Sequence, residues 1–448
     1  MTKPDIINGD ITKTLLKLSW PMTIGLLMQT SFNIIDTIFV GRIGPDALAA
    51  VSMTFPIIFL FIALAGGISI GTVALVSKNI GANKKDDAGH AAEQSLLLSF
   101  VMGVSFAILG FIFTKPLFYA IGAGETLVPI ILSYMYPIYI GILFMFLAFA
   151  SNSILRGLGD MKTPMKTMIL ATTLNIVLDW ILIFGFGPIQ AMGVPGAAWA
   201  TVIARFVAFA YIFSHLLFRQ NLIILKLKHL MPNAAVIKKI FTVGIPASLS
   251  NIAMSISMLF MLRIVSVFGP NAIASYGLAF RIDSIAFMMV FGIASAVITF
   301  VGQNTGAKKM SRAIKATWSA AKITVLIMGF LGILFFVLRQ RIAAVFTDDV
   351  EIIRMTAQYL KIVSPTFVFM AIGLITLSSF QGMGNGMPQL VMTIMRLFVV
   401  MVPLSYILSI VLGMGLTGVW YAVAISSILT GIVSGIWFKK ATKTERCA

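Results

Sequence analysis

Residues 47–77 read ALAAVSMTFPIIFLFIALAGGISIGTVALVS and carry no charged side chain. A helix rises about 1.5 Å per residue, so about 20 apolar residues cross a bilayer core of about 30 Å. Lipid offers no hydrogen-bond partners, and a chain that crosses it must satisfy its backbone groups within itself, as a helix does. The stretch therefore predicts a transmembrane helix.

The rest of the chain repeats this pattern of long apolar segments and short polar connections. Of the 448 residues, 59% are hydrophobic and 11% are charged, whereas about a quarter of the residues of a soluble domain carry charge. We therefore predict an all-α membrane protein with twelve transmembrane helices. The predicted spans are residues 14–40, 47–77, 92–114, 126–150, 165–187, 193–216, 237–267, 271–301, 316–337, 356–380, 390–411 and 415–438.

The formal net charge is +18, but the basic residues are spread over short loops and do not form one basic domain. This distribution argues against a nucleic-acid partner. The loops after the even-numbered spans and the C-terminal tail are rich in Lys and Arg, and the opposite loops are poor in them. Because basic loops stay in the cytoplasm, the pattern predicts a multi-pass plasma-membrane protein with both termini cytoplasmic.

The chain contains an internal duplication with an offset of 225 positions. The run GPDALA from Gly44 aligns with GPNAIA from Gly269, and Pro21 aligns with Pro246. Six helices per copy make the copies parallel repeats, which in transporters form two lobes around a central site. The predicted divisions are a cytoplasmic N-terminal segment 1–13, an N-terminal lobe 14–218, a cytoplasmic linker 219–236, a C-terminal lobe 237–438 and a cytoplasmic tail 439–448.

Two acidic residues of the first copy fall inside predicted spans. Asp36 lies in helix 1, where the second copy has Met261, and Asp179 lies in helix 5 one turn after Asn175. A charge at mid-membrane costs about 3 kcal/mol on insertion scales, so such a residue usually faces the protein interior and has a function. Counted along the helices, Thr201 of helix 6 lies at a similar depth. These four residues predict a cluster of oxygen atoms in the first lobe.

The spacing of polar residues supports this cluster. Gln29, Asn33 and Asp36 share one face of helix 1. Oxygen ligands suit a hard cation such as Na⁺, and two adjacent carboxylates equally suit a proton because both do not ionise readily. The sequence therefore predicts H⁺ or Na⁺ as the coupling ion without deciding between them. The alternative is structural, with each acid paired to a base such as Arg205.

The second copy has a different set of charges. Helix 8 contains Arg281 and Asp283, helix 7 contains Arg263 and helix 11 contains Arg396. These residues either orient an anionic group or take part in coupling, or they form an internal ion pair that fixes helix packing. Both interpretations remain open from the sequence.

Catalytic motifs are absent from the sequence. It has no P-loop, no nucleophile elbow and no zinc-binding spacing, which argues against an ATPase or another enzyme and predicts no cofactor. An ion channel or an intramembrane enzyme is disfavoured because the duplicated chain carries asymmetric acids without a catalytic constellation. Pro21 removes one backbone hydrogen bond from helix 1 and permits either a hinge or a static kink.

Several longer stretches resemble one known family. They are SWPMTIGLLMQTSFNIIDTIFVGRIGPDALAAV from Ser19, ILRGLGD from Ile154, LNIVLD from Leu174, GAAWAT from Gly196 and SSFQGMGNG from Ser378. Nearly the whole chain resembles the multidrug and toxic compound extrusion (MATE) transporters, most closely archaeal members. The resemblance implies a V-shaped, two-lobed bundle that exports amphipathic or cationic organic solutes in exchange for H⁺ or Na⁺ by alternating access.

The resemblance also implies roles for particular residues. Asp36, Asn175, Asp179 and Thr201 resemble the family's coupling cluster, and Pro21 resembles its bending proline. The candidates for the substrate cavity are Gln29, Asn33, Tyr134, Asn152, Arg281 and Asp283. The acidic pair that another branch of the family carries in its second lobe has no match here. We predict a monomeric transporter of small organic substrates in the lipid bilayer, with a flippase for lipids or lipid-linked oligosaccharides as the alternative.

Overall fold

The computed structural model describes residues 5–219, 222–223, 225 and 231–444. Within these residues, 12 helices are long and apolar enough to cross a membrane, as the sequence predicts. In chain order they are α1 (Ile11–Ile43), α2 (Pro45–Gly81), α3 (Lys85–Ala120), α4 (Leu127–Gly157), α5 (Lys162–Phe184), α6 (Val194–Phe218), α7 (Ala234–Phe268), α8 (Pro270–Gly306), α9 (Met310–Ala344), α10 (Val350–Gly382), α11 (Met387–Val411) and α12 (Leu416–Lys443).

Most helices extend beyond their predicted ends, because an apolar run marks only the part of a helix that lies in hydrocarbon. Helix α3 begins at Lys85 and not at residue 92, and its first turn carries Asp86 and Asp87, which are favourable near the partial positive charge of a helix N-terminus. Helix α5 ends earlier than predicted, since Gly185 leaves the helix with a φ of 82°. Helix α11 contains two π-helical segments, Met395–Met401 and Ile407–Val411.

The chain forms two compact units. Of the described residues, one unit contains those from Ile24 to Ile245, and the other contains those up to Thr23 together with those from Pro246 onwards. The first turns of α1 therefore belong to the second unit, and the first turns of α7 belong to the first. Both boundaries lie within three residues of the repeated prolines Pro21 and Pro246.

Each unit is built around the fourth helix of its repeat. In the first unit α4 packs against α2, α3 and α6, and in the second unit α10 packs against α8, α9 and α12. Both central helices contribute large, fully buried side chains, with Tyr139 and Phe146 on α4 and Phe367 on α10. The same helix order in both units agrees with the duplication in the sequence.

Small residues let the exchanged first turns of α1 and α7 approach their units closely. A Cβ atom at Gly71 of α2 would lie 2.2 Å from the backbone oxygen of Ile240 in α7. A Cβ atom at Gly292 of α8 would lie 2.9 Å from the backbone nitrogen of Thr23 in α1. Glycine at both positions thus permits close backbone packing that a larger residue would block.

In the second unit, the segment before α1 is held by polar side chains at the junction of α8 and α9. Asn304 Nδ2 donates to the Ile6 backbone oxygen over 3.2 Å, and Lys309 Nζ donates to Asn8 Oδ1 over 2.6 Å. The Asn8 backbone N–H donates to the Asp5 carboxylate, and this bond lowers the pKa of Asp5. The segment is therefore anchored by both backbone and side-chain contacts.

The first unit anchors the segment before α7 in a similar way. Gln94 Nε2 of α3 donates to the Met231 backbone oxygen over 2.8 Å, and Gln94 Oε1 accepts from the Asn233 backbone N–H over 2.9 Å. Met231 lies 225 positions after Ile6, so equivalent carbonyl groups of the two copies are fixed by an amide side chain.

Candidate functional site

The first unit contains a buried polar cluster on α5 and α6. Asn175 and Asp179 lie four residues apart on α5 with 1% and 0% of their surfaces exposed, and Thr201 of α6 is also buried. In the orientation that satisfies both neighbours, the Asn175 amide donates to Asp179 Oδ2 over 2.7 Å and accepts from the Thr201 backbone N–H over 3.2 Å. The amide of Asn175 therefore links the acid of α5 to α6.

Asp36 of α1 joins this cluster. It interacts electrostatically with Asp179 and with Arg205 of α6. Its Oδ1 atom is buried and has no hydrogen-bond partner among the described residues, and the same holds for Asp179 Oδ1. Because buried polar atoms normally have partners, these two oxygen atoms are available to bind a small ion.

Arg205 and Tyr134 complete the surroundings of the two acids. The Tyr134 side chain is buried on α4 and interacts electrostatically with Asp36, Asp179 and Arg205. Within the described part of the chain, no ion pair of 4.0 Å or less joins Arg205 to either acid. The direct pairing that a structural role predicted is therefore not formed, and two carboxylates face a single guanidinium group.

Helices α1 and α5 also meet outside the charged groups. Thr172 Oγ1 of α5 lies 3.5 Å from the Met28 backbone oxygen of α1, to which it donates. Gln29 is exposed on α1, and the side chain of Asn33 lies outside the described residues. Asn152 of α4 donates from Nδ2 to the Ala148 oxygen of its own helix over 2.8 Å, while its buried Oδ1 lacks a partner.

In the second unit, Asp283 of α8 is bound by the residues around it. Tyr359 of α10 donates its hydroxyl hydrogen to Asp283 Oδ2. Arg396 of α11 interacts electrostatically with Asp283, Tyr359 and Tyr276. These four residues are brought together from three helices, and we call them the Asp283 cluster.

Arg281 does not belong to the Asp283 cluster. It is exposed, whereas Asp283 is mostly enclosed. Residues two positions apart on a helix do not face each other, so the two charged groups of this short motif point to different surroundings. Arg281 and Asp283 therefore do not form the Arg–Asp pair that the sequence suggested as one alternative.

The sequence left Tyr359 and Tyr276 out of the candidate residues. A signal for Tyr359 was present, since it lies 225 positions after Tyr134 and both tyrosines stand beside buried charges. Tyr276 has no such signal, because its counterpart in the first copy is Val51. Tyr276 lies seven residues, or two helical turns, before Asp283, and the helix therefore brings both side chains to the same face of α8.

The two units of repeated sequence, their membrane-spanning helices and the charges buried within each unit define a membrane transporter. A sequence model of the MatE family matches residues 21–181 and again residues 246–407. The chain belongs to the MatE family. The second match begins 225 positions after the first, which agrees with the duplication, and the predicted resemblance is confirmed. Members of this family are transporters and not enzymes, and the chain is a multi-pass membrane protein.

Known relatives cover nearly the full length of the chain. A FAD transporter of Shewanella oneidensis is 29% identical over 95% of this chain and 94% of its own. A probable multidrug resistance protein NorM of Thermotoga maritima is 26% identical over 97% of this chain and 95% of its own. A solved structure described as the outward-facing conformation of a multidrug resistance MATE family transporter is 31% identical, with a TM-score of 0.94 over 100% of this chain and 99% of that one.

Proposed function

We propose that this chain is a secondary active multidrug efflux transporter that exports amphipathic or cationic organic solutes in exchange for H⁺ or Na⁺ by alternating access. The relatives named as multidrug resistance and multidrug export proteins support the export of such solutes. The parallel repeat supports alternating access. We further propose a monomer with both termini in the cytoplasm and with no nucleic-acid partner, as the basic loops indicate.

One observation carries the ion exchange, namely the convergence of Asp36, Asp179, Asn175 and Thr201 in the first unit. When both carboxyl groups are ionised, they carry one more negative charge than the single Arg205 guanidinium balances. A buried charge is expensive unless it is compensated, so the cluster favours binding of one small positive ion. Its unpartnered carboxylate oxygens can take a proton or serve as ligands for Na⁺.

Helix α1 provides the connection between ion binding and movement. Asp36 lies in the part of α1 that belongs to the first unit, and Pro21 lies in the part that belongs to the second. A change of charge at Asp36 alters its interaction with α5 and α6 and therefore the position of α1. Because Pro21 lacks the backbone donor that would stiffen this turn, we propose that it is the hinge of α1.

The test is dye transport into inside-out membrane vesicles from cells that express the chain. With an acidic or Na⁺-loaded lumen, we expect ethidium, a cationic dye, to accumulate against its gradient. Collapse of one gradient at a time identifies the coupling ion. Accumulation that is unaffected by the collapse of both gradients would defeat the exchange mechanism.

Asp36→Asn tests the cluster in the same vesicles. We expect gradient-driven ethidium uptake to fall at least about tenfold, because the variant removes the surplus negative charge that binds the ion. Asp46→Asn is the matched control, since Asp46 is an exposed carboxylate in the first turn of α2 and its loss should leave uptake unchanged. Uptake at the wild-type rate in Asp36→Asn would remove Asp36 from the mechanism.

A second candidate function is the movement of a lipid or of another anionic solute. The half-buried Arg396 of the second unit favours it, since arginine binds phosphate and carboxylate groups well, and one relative is named as a FAD transporter. A flippase would move fluorescent phospholipids between the leaflets of proteoliposomes. An antiporter of small solutes leaves their distribution unchanged.

A further inference from the structure

Arg396 is a half-buried cation whose donors are poorly satisfied. Its Nη2 atom reaches the thioether sulfur of Met370 over 3.8 Å, and its buried Nε atom has no partner among the described residues. Thioether sulfur is a weak acceptor, and a buried donor without a partner costs free energy. The guanidinium group can therefore donate to a stronger hydrogen-bond acceptor than the protein provides.

Asp283, the acidic residue near Arg396, forms its hydrogen bond with a different side chain. Tyr359 donates to Asp283, and the Tyr359 ring packs edge-on against Trp420 with 5.0 Å between ring centroids. The Tyr276 ring stacks on the same Trp420, with 6.2 Å between ring centroids. These contacts hold Asp283 towards α10, and no ion pair of 4.0 Å or less joins it to Arg396 in the described part of the chain.

The repeat shows that this cluster differs in charge from its first-unit equivalent. Tyr134 and Tyr359 occupy the same position of the two copies, but Arg396 corresponds to Ala171 and Asp283 to Ile58. The first-unit cluster contains two acidic side chains and one arginine, whereas the second-unit cluster contains one acidic side chain and one arginine. The second unit therefore has no surplus negative charge to attract a positive ion.

The backbone around Arg396 is also unusual. The residue lies in the π-helical segment Met395–Met401, and π-helical turns are rare and frequent at functional sites. The side chain is partly exposed although its Nε atom is enclosed. Part of the side chain is therefore accessible to a ligand, and the planar guanidinium can bind a carboxylate or a phosphate through two parallel hydrogen bonds.

We propose that Arg396 is an anchor for an anionic group, a carboxylate or a phosphate, on the transported solute, and that the nearby negative charge of Asp283 repels this anion. The proposal rests on the proposed export function. It specifies that the amphipathic substrates include zwitterionic and anionic solutes. Tyr359 is a positioning residue, because it holds Asp283 away from Arg396.

The test compares two dyes that differ in one carboxylate, the zwitterion rhodamine B and its cationic ethyl ester, in vesicles with both gradients imposed. Arg396→Gln should lower kcat/KM for rhodamine B at least about tenfold and change that for the ester less than about twofold. Arg396→Lys should give an intermediate loss for rhodamine B, since lysine keeps the charge but not the paired donors. Arg341→Gln, at an exposed arginine of α9, is the control and should leave both dyes unchanged.

Asp283→Asn gives an opposite expectation. Removal of this negative charge should lower KM for rhodamine B and leave KM for the ester unchanged, because the bound anion is no longer repelled. Equal losses for both dyes in Arg396→Gln and Arg396→Lys would show that Arg396 is structural and would overturn the proposal, as would unchanged rhodamine B transport. Should phosphate be the preferred group, inorganic phosphate will inhibit rhodamine B transport more strongly than acetate will. If the wild type accumulates neither dye under either gradient, the proposed export function itself fails, which is a different result.

Discussion

Asp179→Asn separates the stability of the first-unit cluster from its function. In the wild type, Asp179 Oδ2 accepts a 2.7 Å hydrogen bond from Asn175, and Oδ1 is buried without a partner. Asparagine has nearly the same size and keeps an acceptor oxygen towards Asn175. The substitution therefore removes one negative charge with little change in packing.

The expected change in the free energy of unfolding is small. A hydrogen bond to a charged group contributes about 1.5–3 kcal/mol and one to a neutral group about 0.5–1.5 kcal/mol, so the bond from Asn175 loses about 1 kcal/mol. Removal of the repulsion from Asp36 and of the burial cost of the charge offsets this loss. The ion, however, loses its counter-charge, and a loss of about 1.5–3 kcal/mol lowers its affinity about 10-fold to 100-fold.

Two measurements on the purified protein and its vesicles test this reasoning. If the coupling ion is Na⁺, added NaCl should raise the thermal unfolding midpoint of the wild type, because a ligand at 100 times its Kd stabilises by about 2.7 kcal/mol. Asp179→Asn should unfold near the wild-type midpoint, show no response to NaCl and lose gradient-driven uptake. If the ion is H⁺, neither protein responds to NaCl, but uptake driven by the pH gradient is lost in the variant alone.

Two results would refute the argument. The first is uptake at the wild-type rate in Asp179→Asn, which would mean that the charge takes no part in exchange. The second is a destabilisation of several kcal/mol, which would mean that the carboxylate serves the packing of α5. Asp46→Asn is again the control for the loss of a carboxylate.

Two further substitutions test the exchanged segments. Gly292→Ala should destabilise the second unit by about 1–3 kcal/mol, because its Cβ would lie 2.9 Å from the Thr23 nitrogen. The control is Gly277→Ala on the same helix, whose Cβ would have no atom within 4 Å and which should stabilise the protein by about 0.5–1 kcal/mol. A lower thermal midpoint for Gly277→Ala than for Gly292→Ala would contradict this. Asn304→Ala removes the donor to the Ile6 oxygen, and a loss of about 1 kcal/mol should speed tryptic cleavage near the N-terminus about fivefold. Unchanged cleavage would show that Asn304 does not hold the segment.

The sequence was a reliable guide to the helices, and partly to the first-unit cluster. Asp36 and Asp179 were expected at similar depth, and the structure brings them into electrostatic contact. Tyr134 was expected only from the resemblance to the family, and its electrostatic interaction with the two acids and Arg205 has no local sequence signal. Depth along a helix follows from counting residues, whereas lateral neighbours depend on how each helix is rotated.

The second unit illustrates the limit most clearly. Arg281 and Asp283 are two positions apart in the sequence but have different surroundings in the structure, while Tyr359 and Arg396 reach Asp283 from helices that are distant in the sequence. Counting residues gives depth along these helices, but not the rotation and packing that bring the three side chains together.

The sequence by itself determined twelve membrane-spanning helices and two copies of a six-helix unit, because the length of an apolar run and the offset of a repeat are properties of the chain alone. Only the tertiary structure decided that the first turns of α1 and α7 belong to opposite units, and which acid meets which arginine. Those features depend on close packing at single glycines and on the rotation of each helix, and both arise only when the helices pack together.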